Sequence, residues 1–346
     1  MILRVCTFTA KGEALARKTF EEWQEMIPQY RSADVSLEQW TGACFEKHLP
    51  ILFIGACGIA VRAIAPFVRD KLFDSAVLVM DEQGRFIIPI LSGHVGGANA
   101  LAKKLADRVG GVLVLTTATD VEGMFSVDVF AMENGLQIKN RDGIRKVSAK
   151  LLRGEKVTVT WEDGIQTATS EGGDAERTGL PGGLVFVPFS SETADVRIVT
   201  EEGFERHPDV SQSLLLVAKE YVVGIGCKKG KTFEDLNAFL AENLPEGWLE
   251  KTCAIASIDL KAREEGLWEL AQYYHLPFVT YPASELQQVQ GDFTESEFVR
   301  ETTGVANVCE RAALCHAGTG GKLVQKKTAS QGMTVAVAKR ITVLHF

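Results

Sequence analysis

A single histidine stands among glycines in the stretch Ser92-Gly93-His94-Val95-Gly96-Gly97-Ala98-Asn99. Behind it, Ala98, Leu101, Ala102 and Leu105 fall at i, i+3, i+4 and i+7, the spacing of a buried helix face, with Lys103 and Lys104 on the other side. The pattern predicts a helix whose N-cap lies near Ser92 or Gly93. Its first free N–H groups, at Gly96 and Gly97, then sit beside the positive end of the helix dipole. Such an end suits a carboxylate or a developing oxyanion. An imidazole there is held neutral, because the dipole disfavours its protonated form, and a neutral imidazole can accept a proton as a general base must. The structural alternative is a glycine turn in which His94 caps a carbonyl, and the residues alone leave both readings open. The glycine spacing is not the G-x-G-x-x-G of a dinucleotide site.

Other stretches gather polar groups where an apolar run ends. Gly226-Cys227-Lys228-Lys229-Gly230-Lys231-Thr232 approaches the phosphate-loop pattern G-x-x-x-x-G-K-[ST] but has Ile225 where the first glycine is required. A glycine turn between strand and helix still fits anion binding through backbone N–H groups and lysines, and a solvated lysine loop is the equal alternative. Cys227 has no base near it in sequence and reads as a packed thiol. "TTATDVEG" places Thr117, Asp120 and Glu122 after one apolar strand, and "SIDLKAREEG" places Asp259, Lys261 and Glu264 after another. Asp or Thr in such a place is also the ordinary helix cap. Arg62 follows the apolar run "ILFIGAC" and suits a substrate carboxylate or a neighbouring acid.

The elements that position these residues alternate strand and helix over roughly 1–135 and again over 219–346, the pattern of mostly parallel sheets with ligands at the strands' carboxyl ends. Residues 136–218 carry a helix and short strands separated by glycine and serine turns, which predicts a small α+β module between an N-terminal and a C-terminal α/β domain. "SAVLVMDEQGRFIIPIL" reads as a hairpin turning at Glu82-Gln83-Gly84, and "KLVQKKTASQGMTVAVAKR" as a second hairpin. Thr232 with Asp235, and Thr294 with Glu297, have capping-box spacing.

Composition excludes several classes. Apolar residues are 46% and charged ones 24%, an ordinary globular profile. The net charge of −8 and the lack of long basic runs argue against a nucleic-acid binder, without excluding anionic small molecules. Seven scattered cysteines with no C-x-x-C suit reduced thiols in a cytoplasm and give no zinc signature. "MILRVCTFTAKG" has neither a basic leader nor a long apolar stretch, so no signal peptide is expected. "ILFIGACGIAVRAIAPFV" is broken by Gly55, Gly58, Arg62 and Pro66 into strand, turn and helix, so it is not read as a membrane span.

Taken together, "GACGIAVRAIAPFVRDKLFDSAVLVMDEQGRFIIPILSGHVGGANALA", "TTATD", "VGIGCKKGKT", "ASIDLKAREEGL" and "GVANVCERAALCHAG" resemble the CbiG family, the cobalt-precorrin-5A hydrolases of anaerobic cobalamin biosynthesis. The resemblance covers essentially the whole chain. It departs from the family pattern at Glu122, where the family often has Asn, and at Lys228 and Lys229, where Arg is common.

What the resemblance implies is a cobalt-corrinoid substrate carrying a δ-lactone on its ring-A acetate. Water opens the lactone to a secondary alcohol. Loss of the alcohol proton then releases acetaldehyde, the macrocycle taking the electrons, to leave cobalt-precorrin-5B. His94 and Asp120 are the expected catalytic residues, His94 as base and Asp120 as its alternative or orienting partner. The expected substrate-binding set is Arg62, Ser92, Gly93, Gly96, Gly97, Asn99, Thr117, Gly226, Cys227, Lys228, Lys229, Asp259 and Lys261. The ring is expected in a cleft between domains. No cofactor of the protein's own is expected, the cobalt being carried by the substrate. The expected partners are that corrinoid, a second copy of the chain in a homodimer, and neighbouring pathway methyltransferases in transient contact; nucleic acid and membrane are not among them. A non-catalytic carrier of corrinoid intermediates, and a nucleotide-dependent α/β enzyme, are the competing readings.

Overall fold

Ile51–Ile54 and Val77–Met80 are apolar at every position and buried at every position, which a strand with one wet face would not tolerate. They form the middle of a six-stranded sheet covered on both sides. The computed structural model describes residues 1–346 apart from 24, 71–73, 94–95, 117–123, 169–179, 192 and 207–212. The chain divides into two compact units, residues 1–121 with 268–275, and residues 122–267 with 276–346.

The first unit holds β1 (Ile2–Thr7), β2 (Ile27–Tyr30), β3 (Ile51–Ile54), β4 (Val77–Met80), β5 (Phe86–Leu91) and β6 (Val112–Leu113), in the order β2-β1-β3-β4-β5-β6. β1 to β4 run parallel, and the expected hairpin then reverses the chain: β5 is antiparallel to β4, and β6 is parallel to β5. Asp81 makes that turn by accepting from the N–H groups of Arg85 and Phe86, and Gly84 takes φ +69°. Helices Ala10–Phe20 and Ala98–Val109 bury one face against Leu3, Leu52, Leu78 and Met80. Helices Leu37–Glu46 and Cys57–Ile64 bury the other against Phe53, Val77 and Val79. The run "ILFIGACGIAVRAI" is thus β3, a turn at Gly55 and a helix, and no described helix is long and apolar enough to cross a membrane.

The second unit carries two five-stranded sheets. In the first, β7 (Leu136–Ile138), β8 (Val157–Trp161), β10 (Leu184–Phe186), β11 (Val196–Val199) and β12 (Leu214–Ala218) lie in the order β10-β8-β11-β12-β7, parallel except for β7; β9 (Gln166–Thr167) lies outside it. In the other, β13 (Tyr221–Cys227), β14 (Thr252–Ile258), β15 (Phe278–Tyr281), β16 (Lys322–Ser330) and β17 (Met333–Lys339) lie in the order β15-β14-β13-β17-β16, with the second hairpin as expected. The chain then returns: β18 (Val343–Leu344) pairs with β9, and Leu344 joins the core of the middle sheet, where Phe346 stacks on Phe130 at 4.7 Å.

Two capping expectations divide. Thr232 is the N-cap of helix Phe233–Asn243 and accepts from Asp235 N–H, as its spacing predicts. Thr294 caps nothing: helix Glu297–Thr303 begins after Ser296 without a side-chain cap. Thr294 instead donates, through N–H and hydroxyl, to the fully buried carboxylate of Glu310, which also accepts from Asn307 Nδ2 and Lys327 N–H. A buried charge demands donors, and that demand outranks the weaker preference for a cap.

Candidate active site

Reversal of the chain at the first hairpin decides where the glycine loop lies. Leu91 pairs with Val77, so Ser92 leaves β5 at the edge where β4 begins. β6 runs the same way as β5, so the chain beyond it heads for that edge too. The helix bearing Arg62 starts from the opposite edge, at the carboxyl end of β3. Arg62 is exposed and its Nη1 donates to Gly58 O at 3.1 Å, one turn back on its own helix. The parallel-sheet expectation put both at carboxyl ends of one sheet, which is true of each strand taken singly. The antiparallel hairpin is what separates them.

His94, Thr117 and Asp120 lie outside the described residues, and so does Glu122. The frame around the loop is described and differs from the sequence expectation. The helix begins at Ala98, and its N-cap is Gly97 with φ +79°, not Ser92 or Gly93. The first helical N–H groups are already used: Ala98 N donates to Ser92 O at 3.1 Å and Asn99 N to Gly93 O at 2.9 Å. Gly96 and Gly97 therefore precede the helix, and among the described residues their N–H groups have no acceptor. They remain suited to an incoming anion, with the dipole behind them.

Sterics make this loop glycine-dependent. A Cβ on Gly93 would fall 2.7 Å from Asn99 Oδ1, and one on Gly96 would lie 2.7 Å from Ser92 O and collide with the Ser92 side chain. Ser92 itself has φ +54°, and its Oγ is buried with no hydrogen-bond partner. Among the described residues it alone combines left-handed backbone with an orphaned hydroxyl. Each costs stability, and such costs gather where function holds them.

In the second unit, β13 ends at Cys227 and the lysine turn follows. The glycines of "GIG" serve packing: a Cβ on Gly224 would overlap the Cys309 carbonyl oxygen, and one on Gly226 would sit 2.6 Å from Thr334 Oγ1. Burial pushes the Cys227 thiol up to about 11, which favours the protonated thiol and fits a packed side chain. Lys228 and Lys229 are exposed, with no carboxylate partner among the described residues. Lys231 pairs with Asp235 at 3.4 Å. Lys261 was expected to meet substrate; its Nζ instead donates to Glu264 Oε2 at 2.8 Å, both side chains being largely buried. Asp259 is exposed at the start of a short 3₁₀ turn, its carbonyl accepting from Ala262 N–H. Sequence reading passed over Glu264 as a partner, although the i, i+3 spacing from Lys261 was the available signal. No described group of three or more His, Cys, Asp or Glu could hold a metal ion.

Mostly parallel sheets with helices packed against them define a multidomain α/β protein. Comparison with known proteins is specific: the chain belongs to the CbiG family. Residues 39–120 match "Cobalamin synthesis G N-terminal", 125–177 match "Cobalamin biosynthesis central region", and 221–338 match "Cobalamin synthesis G C-terminus". Cobalt-precorrin-5A hydrolase of Salmonella typhimurium is 34% identical over 300 residues, 85% of this chain and 82% of that protein. The Priestia megaterium protein of the same name is 28% identical over 323 residues, 92% of this chain and 86% of its own. The solved structure of CobE, a protein from the cobalamin (vitamin B12) biosynthetic pathway, is 32% identical, with 36% of this chain and 92% of CobE covered at a TM-score of 0.34.

Proposed function

We propose that this chain is a cobalt-precorrin-5A hydrolase, opening the ring-A δ-lactone with water and releasing acetaldehyde to give cobalt-precorrin-5B. The observation that carries the reading is its 34% identity to the Salmonella typhimurium enzyme across most of both chains. The chemistry fits the described frame. Lactone opening builds negative charge on the carbonyl oxygen, and the acceptor-free N–H groups of Gly96 and Gly97 are the donors for it. His94 takes a proton from the attacking water, returns it to the alkoxide that leaves the opened lactone, and then takes the proton of the resulting alcohol, with Asp120 as orienting partner or alternative base. Breaking the carbon–carbon bond after the second transfer leaves acetaldehyde and returns the electron pair to the macrocycle. Carboxylates on the ring's fringe meet Lys228 and Lys229. The cobalt arrives with the substrate, and the protein supplies no cofactor.

The test is acetaldehyde formed per enzyme from purified chain and cobalt-precorrin-5A, with binding followed by the corrinoid's visible spectrum. Release with conversion to cobalt-precorrin-5B is expected. Tight binding with no release would make the chain a carrier of the intermediate instead.

A further inference from the structure

Four lysines follow β13 and β14, and the structure treats them unequally. Lys231 and Lys261 each have a carboxylate partner, Asp235 and Glu264; among the described residues Lys228 and Lys229 have none. The partner of Lys261 has a second task. Glu264 Oε1 accepts from the Gly230 N–H at 2.5 Å, while Oε2 holds Lys261 Nζ, so both carboxylate oxygens are engaged. Gly230 takes φ +83°, a left-handed conformation a side chain would strain, directly after the two unpaired lysines.

The same short segment grips the turn again two residues on. A Cβ on Gly266 would collide with Lys231 O and lie 2.9 Å from the Thr232 carbonyl carbon, so backbone meets backbone there without space for a side chain. At its other end the turn is held by the hairpin tip: Lys228 N donates to Gly332 O at 2.9 Å, and a Cβ on Gly332 would lie 2.8 Å from Lys228 Cδ. Backbone contacts thus pin both ends, and a single side chain pins the middle. That side chain is 10% exposed, although the Gly230 backbone it holds is exposed.

We infer that Glu264 is a positioning residue for substrate binding: by holding Gly230 it fixes the turn that presents Lys228 and Lys229 to the carboxylates of the corrinoid. The inference rests on the function proposed above. A carboxylate with both oxygens occupied by donors is also poorly placed to collect a further proton, so the role is not that of a base. Geometry, rather than charge, is the role. Deleting the negative charge alone would leave the edge more cationic and favour an anionic ligand, whereas loss of the Gly230 bond frees the turn and weakens binding.

Two substitutions separate these effects. Glu264→Gln keeps an acceptor for Gly230 N–H and loses the charge; Glu264→Ala loses both. With cobalt-precorrin-5A titrated against the full chain and read by its visible spectrum, Glu264→Ala is expected to raise Kd about tenfold, the worth of one charge-assisted bond, and Glu264→Gln to leave Kd unchanged or lower it by less than about threefold. Turnover at saturation stays near wild type in both, and KM follows Kd. In a Lys228→Ala/Lys229→Ala background, Glu264→Ala should add nothing further, since it acts through those lysines. The inference is overturned if Glu264→Ala lowers only the melting temperature, if it tightens binding, if it lowers kcat at unchanged KM, or if its effect simply adds to that of the lysine pair. Wild-type chain that binds the corrinoid but releases no acetaldehyde defeats the hydrolase reading and leaves this inference to be judged on Kd. Wild-type chain that does not bind defeats both.

Discussion

Gly96 lies against Ser92 so closely that a Cβ at 96 would be 2.7 Å from the Ser92 carbonyl oxygen, the same oxygen that accepts from the first N–H of the helix at Ala98. Gly96→Ala therefore has to push Ser92 away or open the Ala98 bond. Overpacking of this kind costs about 1–3 kcal/mol. A shift of about 1 Å at a reacting site costs on the order of 10²-fold in rate. Acetaldehyde release by Gly96→Ala should fall by about that factor, while the melting temperature drops only a few degrees. Full turnover in this variant would show that the loop's geometry is not part of the chemistry.

Ser92 is expected to trade stability for function. A non-glycine residue in the left-handed region costs roughly 1–2 kcal/mol, and an orphaned buried hydroxyl costs about as much again. Ser92→Gly relieves both and should raise the melting temperature by a few degrees, about 2–4 °C per kcal/mol gained. Turnover should fall at the same time, because strain kept at a site is kept for use. A stabilised variant with undiminished acetaldehyde release would take Ser92 out of the substrate's reach.

For the base, His94→Gln keeps size and polarity but cannot take the proton, so acetaldehyde release should drop by about 10²–10⁴-fold while corrinoid binding survives. Asp120→Asn should do less if Asp120 orients rather than abstracts. Near wild-type turnover in His94→Gln would move the role to Asp120.

Much of this was legible because local rules were unopposed. The helix face Ala98, Leu101, Ala102, Leu105 is buried where its spacing puts it, and both hairpins turn where glycine allows. What escaped the sequence was set by distant partners. The packing role of Gly224 is one such case: the Cys309 carbonyl that leaves it no space for a side chain is 85 residues away in sequence. Lys261 differs: its partner Glu264 lies only three residues on, and that spacing was legible. Thr294 has a cap's spacing but answers a buried carboxylate. The helix after the glycine loop begins at Ala98, with Gly97 as its N-cap, because the loop's own carbonyls at Ser92 and Gly93 satisfy Ala98 and Asn99, a closure no propensity encodes.

The return of β18 to the middle sheet was also outside the reach of pattern, and it makes a stability prediction. Leu344 is 1% exposed in the core formed by Val157, Ile198 and Leu216, and Asn134 braces the segment by exchanging hydrogen bonds with the backbone of His345. Leu344→Ala should cost about 2–5 kcal/mol, as for other buried leucines. The loss should appear as faster hydrogen exchange in β8 and β11, with β13 and β14 less affected. Equal acceleration in all four strands would mean that the middle sheet does not open on its own.

Asp195 gives the middle sheet an acid limit. Burial alone would raise its pKa, but its carboxylate accepts from Lys150 Nζ at 2.7 Å and from the N–H and hydroxyl of Thr158 at 2.8 Å, and these donors hold it below the ordinary value of 3.8. A carboxyl depressed in the folded state stabilises it fully above the unfolded pKa and loses that contribution as pH falls through the folded one. The stabilisation is thus complete from about pH 5 upward and declines below about pH 4. Asp195→Asn should lower stability near pH 7 by about 1–3 kcal/mol, since it leaves Lys150 without its partner and weakens the bonds from Thr158. Urea midpoints for wild type and variant should then converge as pH falls from 5 to 2.5, because the wild-type carboxylate becomes neutral as well. A gap that stays constant over that range would mean the charge on Asp195 contributes nothing and that only the shape of the contact matters.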